Sequence, residues 1–129
     1  AAKASRHHLV SAAANWDIAR EAMGPDPVGR AMVHQRLTIR KEAPAGSGEA
    51  RREEFQICGD GSWDMRLYPE GPDREEVVLL KPGGPGSRAA GDRGKGHGRN
   101  WAVEGKPGAA FDIFFDPETM MVTCEAHDA

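Results

Sequence analysis

A chain of 129 residues has the length of one domain and can hold one core, since a chain near this size buries about two-thirds of its unfolded surface. A net charge of −3 gives no global attraction to nucleic acid or to an anionic membrane, and the longest aliphatic run, Val77-Val78-Leu79-Leu80, is far too short to span one. An apolar fraction of 39%, with 16 glycines and nine prolines, favours many short elements joined by turns over a few long helices.

The first predicted element is a short strand over 8–11, centred on Leu9 and Val10. The stretch 12–23 stays open between two readings. Its alanines and the spacing of Trp16, Ala19 and Met23 suit a short helix, whereas Asn15-Trp16-Asp17 suits an irregular loop. Residues 24–29, GPDPVG, form a turn. The clearest strand covers 32–41, with Val33, Gln35, Leu37 and Ile39 on one face and His34, Arg36, Thr38 and Arg40 on the solvent face.

A polar loop at 43–52 leads into the most informative segment, EEFQICGDGSW at 53–63. Phe55 and Ile57 alternate with Glu54, Gln56 and Cys58, as in a half-buried strand, and Asp60-Gly61 signals a hairpin because both residues tolerate positive φ. Trp63 opens a second alternating run to Pro69, with Met65 and Leu67 on one face. A hairpin that holds a large flat aromatic at its end is suited to stacking on a planar ligand. The competing reading places Trp63 in the core, where tryptophans are mostly found.

After a turn at 70–76, residues 77–81 read as a strand. The segment 82–98, PGGPGSRAAGDRGKGHG, offers no regular periodicity and reads as a long loop that is either mobile or functional. Trp101 and Val103 share a face of a strand over 100–104. Phe111, Ile113 and Phe115 alternate in the next, and after a turn at 116–119 a last strand over 120–124 returns with Val122 and Cys124 together. Seven or eight short strands at this spacing, with at most one short helix near 12–23, predict an all-β protein, an antiparallel β-sandwich in a single domain over 1–129.

Catalytic motifs are missing: there is no GxSxG, P-loop, HExxH or CxxC. The acid pairs Glu53-Glu54 and Glu75-Glu76 put neighbours on opposite faces of a strand, so they read as solvated edges. His7 and His8 diverge in the same way. No metal site, cofactor or enzyme activity is expected. Cys58 and Cys124 lack metal spacing and fall in strands, which predicts two buried thiols. With no secretory pattern at the N-terminus, an intracellular setting, cytoplasm or plastid, is favoured over a secreted one.

Charge is uneven. Residues 82–101 carry Arg88, Arg93, Lys95 and Arg99 against Asp92, whereas 102–129 holds one lysine and six acids. The glycine-interleaved basic loop, with His97, reads first as a solvated connector and, as the alternative, as a loop that contacts a ligand or partner. A net acidic chain with no aromatic platform of the RNA-binding kind argues against nucleic acid.

Taken in order, HHLVSAAANW (7–16), Met23, RLTIR (36–40), EEFQICGDGSW (53–63) and YPEGP (68–72) resemble the starch- and glycogen-binding carbohydrate-binding modules, over residues 7–72. These are the small immunoglobulin-like sandwiches of branching and debranching enzymes and of the AMP-activated protein kinase β subunit. The resemblance implies an immunoglobulin-like sandwich that binds an α-glucan or oligosaccharide without catalysis. Trp16 and Trp63 would stack on sugar rings, and Gln56, which stands where the family's glycogen binders usually carry Lys, would bond hydroxyls together with Asn100. The alternative is a structural or interaction domain, an accessory subunit docking into a larger protein assembly through Arg88, Arg93, Lys95, His97 and Arg99 of the loop at 82–99.

Overall fold

The longest strand forms where apolar alternation is most regular, and the rest of the fold is assembled around it. A computed structural model of the protein describes residues 6–18, 22–71, 77–91 and 99–127. It contains the strands β1 (His7–Ser11), β2 (Gly24–Pro25), β3 (Val33–Thr38), β4 (Arg51–Gly59), β5 (Arg66–Pro69), β6 (Val77–Leu79), β7 (Ser87–Ala90), β8 (Asn100–Gly105), β9 (Ala110–Asp116) and β10 (Met121–Ala126). Two single 3-10 turns, at Ala12–Ala14 and Trp63–Met65, are the only helical pieces among the described residues. The protein is therefore all-β, and none of its described residues forms a helix long and apolar enough to cross a membrane.

Hydrogen bonding joins the strands in the order β2-β3-β9-β10-β7-β5-β4-β8-β6, with β1 also on β4. The chain of pairs folds over into two facing layers. Leu9, Phe55, Ile57, Trp101 and Val103 project from β1, β4 and β8, and meet Leu37, Phe111, Ile113, Phe115, Val122 and Cys124 from β3, β9 and β10 in one buried cluster. The His7 ring packs on Phe115 across the layers, 4.8 Å between centroids. Burying each large side chain of this kind contributes about 1.5–3 kcal/mol, so the alternation of β4, β8 and β9 is what drives the sandwich-like packing.

Strand β5 is the corner. It pairs with β4 through Ile57↔Leu67 and Cys58↔Arg66, and with β7 through Tyr68↔Ala90 and Pro69↔Ala89. A strand that changes sheets in this way is a known means of turning a sandwich edge. A second link is ionic. Glu53 is fully buried, and its carboxylate accepts from the Arg40 backbone N–H and Nε at 2.8 Å each and from a terminal guanidinium nitrogen at 3.0 Å.

Several expectations are corrected. Among the described residues ten strands form rather than seven or eight, and β6 runs parallel to β8. The stretch 12–23 makes one 3-10 turn, with 19–21 outside the described residues. Trp63 does not open a strand: it starts the 3-10 turn, which Ser62 caps by accepting from the Asp64 N–H, and β5 begins three residues later. Glu53 is no solvated edge but the buried partner of Arg40, while Glu75-Glu76 lie outside the described residues.

The loop at 82–99 contains strand β7. Alternation gives no hint of it, because small Ser and Ala residues fill the gap between β10 and β5, and Gly86 permits the approach. At φ 87 its hypothetical Cβ would meet the Val122 carbonyl oxygen and Thr123 Cγ2 at 2.6 Å each.

Candidate ligand-binding site

Two turns, one after β1 and one after β4, present the site. Beyond the Ala12–Ala14 turn, the Asn15 N–H donates to the Ala12 carbonyl and the Trp16 N–H to that of Ser11, at 3.0 and 2.8 Å. Asn15 and Trp16 both adopt φ 55. Asn tolerates this left-handed region, but a bulky residue there is an outlier that costs about 1–2 kcal/mol. The turn leaves Trp16 half-buried.

The second turn reverses at Asp60 and Gly61, at φ 49 and 64. Arg6 fixes it, because the Arg6 N–H donates to Asp60 Oδ1 at 2.9 Å and the Asp60 N–H donates back to the Arg6 carbonyl at 2.8 Å. Trp63 follows with 39% of its surface exposed, and the Arg66 guanidinium lies over its ring at 4.9 Å from the centroid. The two turns meet. A Cβ on Gly61 would stand 3.5 Å from the Ile18 carbonyl and 3.8 Å from His8 Nε2, so the segment leaving Trp16 ends against the turn that leads to Trp63. Among the described residues, three of the four non-glycine positions with positive φ are Asn15, Trp16 and Asp60; the fourth is Met120.

The other predicted sugar contacts are turned inward. Gln56 is only 3% exposed, and its amide donates to the Arg99 carbonyl at 2.9 Å. Asn100 is 9% exposed and donates to Glu54 Oε1 at 2.9 Å. Their strand parity is as expected, but β4 is covered on both faces, Cys58 being fully buried beside Gln56. An amide on the face away from the core is therefore not a surface amide here. The third tryptophan, Trp101, is core: it stacks on Phe55 with 5.8 Å between centroids, and its indole N–H donates to Ser87 Oγ at 3.0 Å.

Of the predicted partner contacts, Arg88 is exposed on β7, with Glu70 at 3.6 Å. Arg99 is half-buried. It lies over Tyr68 at 5.0 Å and donates to the Gly71 carbonyl at 3.2 Å. Arg93, Lys95 and His97 lie outside the described residues.

Two features escaped the sequence reading. Arg66 over Trp63 has no motif to announce it. On the second layer, Asp112 accepts from His34 Nε2 at 2.8 Å and His127 Nδ1 at 2.9 Å, so His34 is half-buried and bonded rather than facing solvent. Burial alone would raise the Asp112 carboxyl, but the two imidazole hydrogen bonds outweigh it and hold the group below the usual carboxylate range. The cluster is a hydrogen-bonded one; among the described residues no group of three or more His, Cys, Asp or Glu is arranged to hold a metal ion.

Both cysteines are free, and burial pushes each thiol up to about 11, so neither supplies a thiolate nucleophile at neutral pH. What the two turns offer chemically is stacking and hydrogen bonding.

Comparison of the chain with protein-family models, with curated proteins and with solved structures finds no match. Fold and site together define an all-β, sandwich-like protein with two aromatic-bearing turns in contact at one end of β4.

Proposed function

We propose that this protein is a non-catalytic binding domain for an α-glucan or oligosaccharide, stacking sugar rings on Trp63 and Trp16. The observation that carries the reading is the pair of touching turns, each bearing a tryptophan outside the core and each built on left-handed non-glycine residues. Backbone strain of this kind persists where surrounding structure over-determines it, and it concentrates at binding sites. An indole face attracts the apolar C–H face of a sugar ring, and aromatic pairs of comparable geometry contribute about 0.5–1.5 kcal/mol beyond area burial. Such binding needs no net charge, in keeping with the mildly acidic composition. Gln56 and Asn100, spent on internal hydrogen bonds, are left out of the proposed contact.

The test is titration of the chain with maltoheptaose, followed by tryptophan fluorescence and calorimetry. The expected result is a saturable change that Trp63→Ala removes and Trp16→Ala weakens several-fold. No response at ~10 mM sugar, a concentration that reveals affinities of the order of 1 mM, would overturn the reading.

A second reading, an interaction domain within a larger assembly, is favoured by strand β6. It ends the hydrogen-bonded series and carries the exposed Leu79, a geometry suited to strand addition by a partner. A chain that ignores maltoheptaose but loses partner association on Leu79→Lys would select it.

A further inference from the structure

We propose that Arg66 is the hydroxyl-reading residue of this site, donating from its guanidinium to two adjacent hydroxyls of a neutral glycan seated at Trp63; the proposal rests on the glycan-binding reading above. Arg66 opens β5 and is paired in register with Cys58 of β4, so its backbone is fixed next to the strand end from which the Trp63 turn departs. Its guanidinium lies over the indole, yet Nε is buried with no hydrogen-bond partner.

Among the described residues, the three other half-buried arginines all find acceptors: Arg40 in Glu53, Arg52 in Glu104 and Arg99 in the Gly71 carbonyl. Among the described residues the Arg66 guanidinium makes no ion pair, and only the indole face holds it. A desolvated guanidinium donor left without an acceptor is destabilising, and a ligand oxygen that satisfies it recovers that loss.

The chemistry of the ligand follows from the fork and its neighbours. Parallel guanidinium N–H groups match two closely spaced oxygens, either the pair on one atom of a carboxylate or phosphate or the pair on neighbouring carbons of a vicinal diol. Asp60 and the exposed Asp64 belong to the same turn as Trp63, and their negative charge disfavours the two anions. The 2,3-diol of a glucose unit is the neutral match. Because a cation–π contact at a partly exposed site is weak, the guanidinium can leave the indole at little cost. Swinging toward the diol frees the buried Nε–H for an acceptor and uncovers the ring face that the guanidinium now shields.

The test titrates the wild-type chain, Arg66→Met, Arg66→Lys and Trp63→Ala with methyl α-maltoside and with its 2-deoxy and 3-deoxy forms, after thermal melts establish folding. Wild type is expected to prefer the parent sugar by about tenfold, the loss typical of one charged hydrogen bond. In both Arg66 variants that preference should collapse to within about twofold, while the stacking response of Trp63 to sugar persists. Lys keeps the charge but not the fork, so its collapse separates bidentate reading from simple attraction. Wild-type discrimination retained in either Arg66 variant overturns the role of Arg66 and leaves glycan binding intact. No response of wild type to any maltoside is a different outcome: the glycan reading fails, and the assignment of Arg66 falls with it.

Discussion

Asp112 on β9 stands opposite Arg36 of β3 and Glu125 of β10, yet its two oxygens go to the diagonal imidazoles of His34 and His127. Its pKa is lower in the folded chain than the ordinary 3.8, so the folded state binds fewer protons than the unfolded state in that range. Its contribution is full above the unfolded value and is lost as pH falls through the folded one. Asp112→Asn should therefore cost about 1–3 kcal/mol at neutral pH. Denaturant midpoints between about pH 5 and pH 2 should show the gap between wild type and variant closing; a gap constant over that range would refute the assignment. At this scale the sequence singled out Trp16 and Trp63 through their order beside Asn15 and Asp60-Gly61, and both lie outside the buried core. It could not expose Asp112, because positions 34, 112 and 127 meet only through the register of three strands. Gln56 and Asn100 misled for a related reason: parity tells which face a side chain is on, not whether that face is covered.

Among the elements, the strands with branched or aromatic alternation were legible to within two or three residues: β1, β3, β4, β8, β9 and β10. β7 was not, since Ser87-Arg88-Ala89-Ala90 carries no β signal and is held by its neighbours' unpaired backbone. Its entry depends on Gly86. Gly86→Ala meets both a positive φ and a backbone oxygen 2.6 Å from the new Cβ, whereas Gly83→Ala, at φ 72 with nothing within 4 Å, meets the dihedral cost alone. We expect Gly83→Ala to lose about 1–2 kcal/mol and Gly86→Ala clearly more, because β7 must move away from β10. Equal losses in chemical denaturation would show that the close approach is unimportant.

For the molecule as a whole, periodicity indicated an all-β sandwich but not how its layers are joined. No sequence signal marks the parallel pairing of β6 with β8 or the two-sided pairing of β5, since both depend on contacts between segments remote in the chain. The corner position of β5 has a dynamic consequence. The two layers cannot part like the covers of a book, because one margin is sewn: opening them requires breaking the ladder to β4 or the ladder to β7. Water must then enter from the unsewn margins, among them those at β2 and β6, which end the series of strands. Amide exchange in native conditions should find β2 and β6 fraying first, with β5 protected almost as long as Phe55 and Ile57 at the centre of β4. Exchange of β5 in step with β2 and β6 would mean that the stitch gives way first. If it holds, the turn bearing Trp63, which lies directly between β4 and β5, is anchored in the last part of the molecule to come undone.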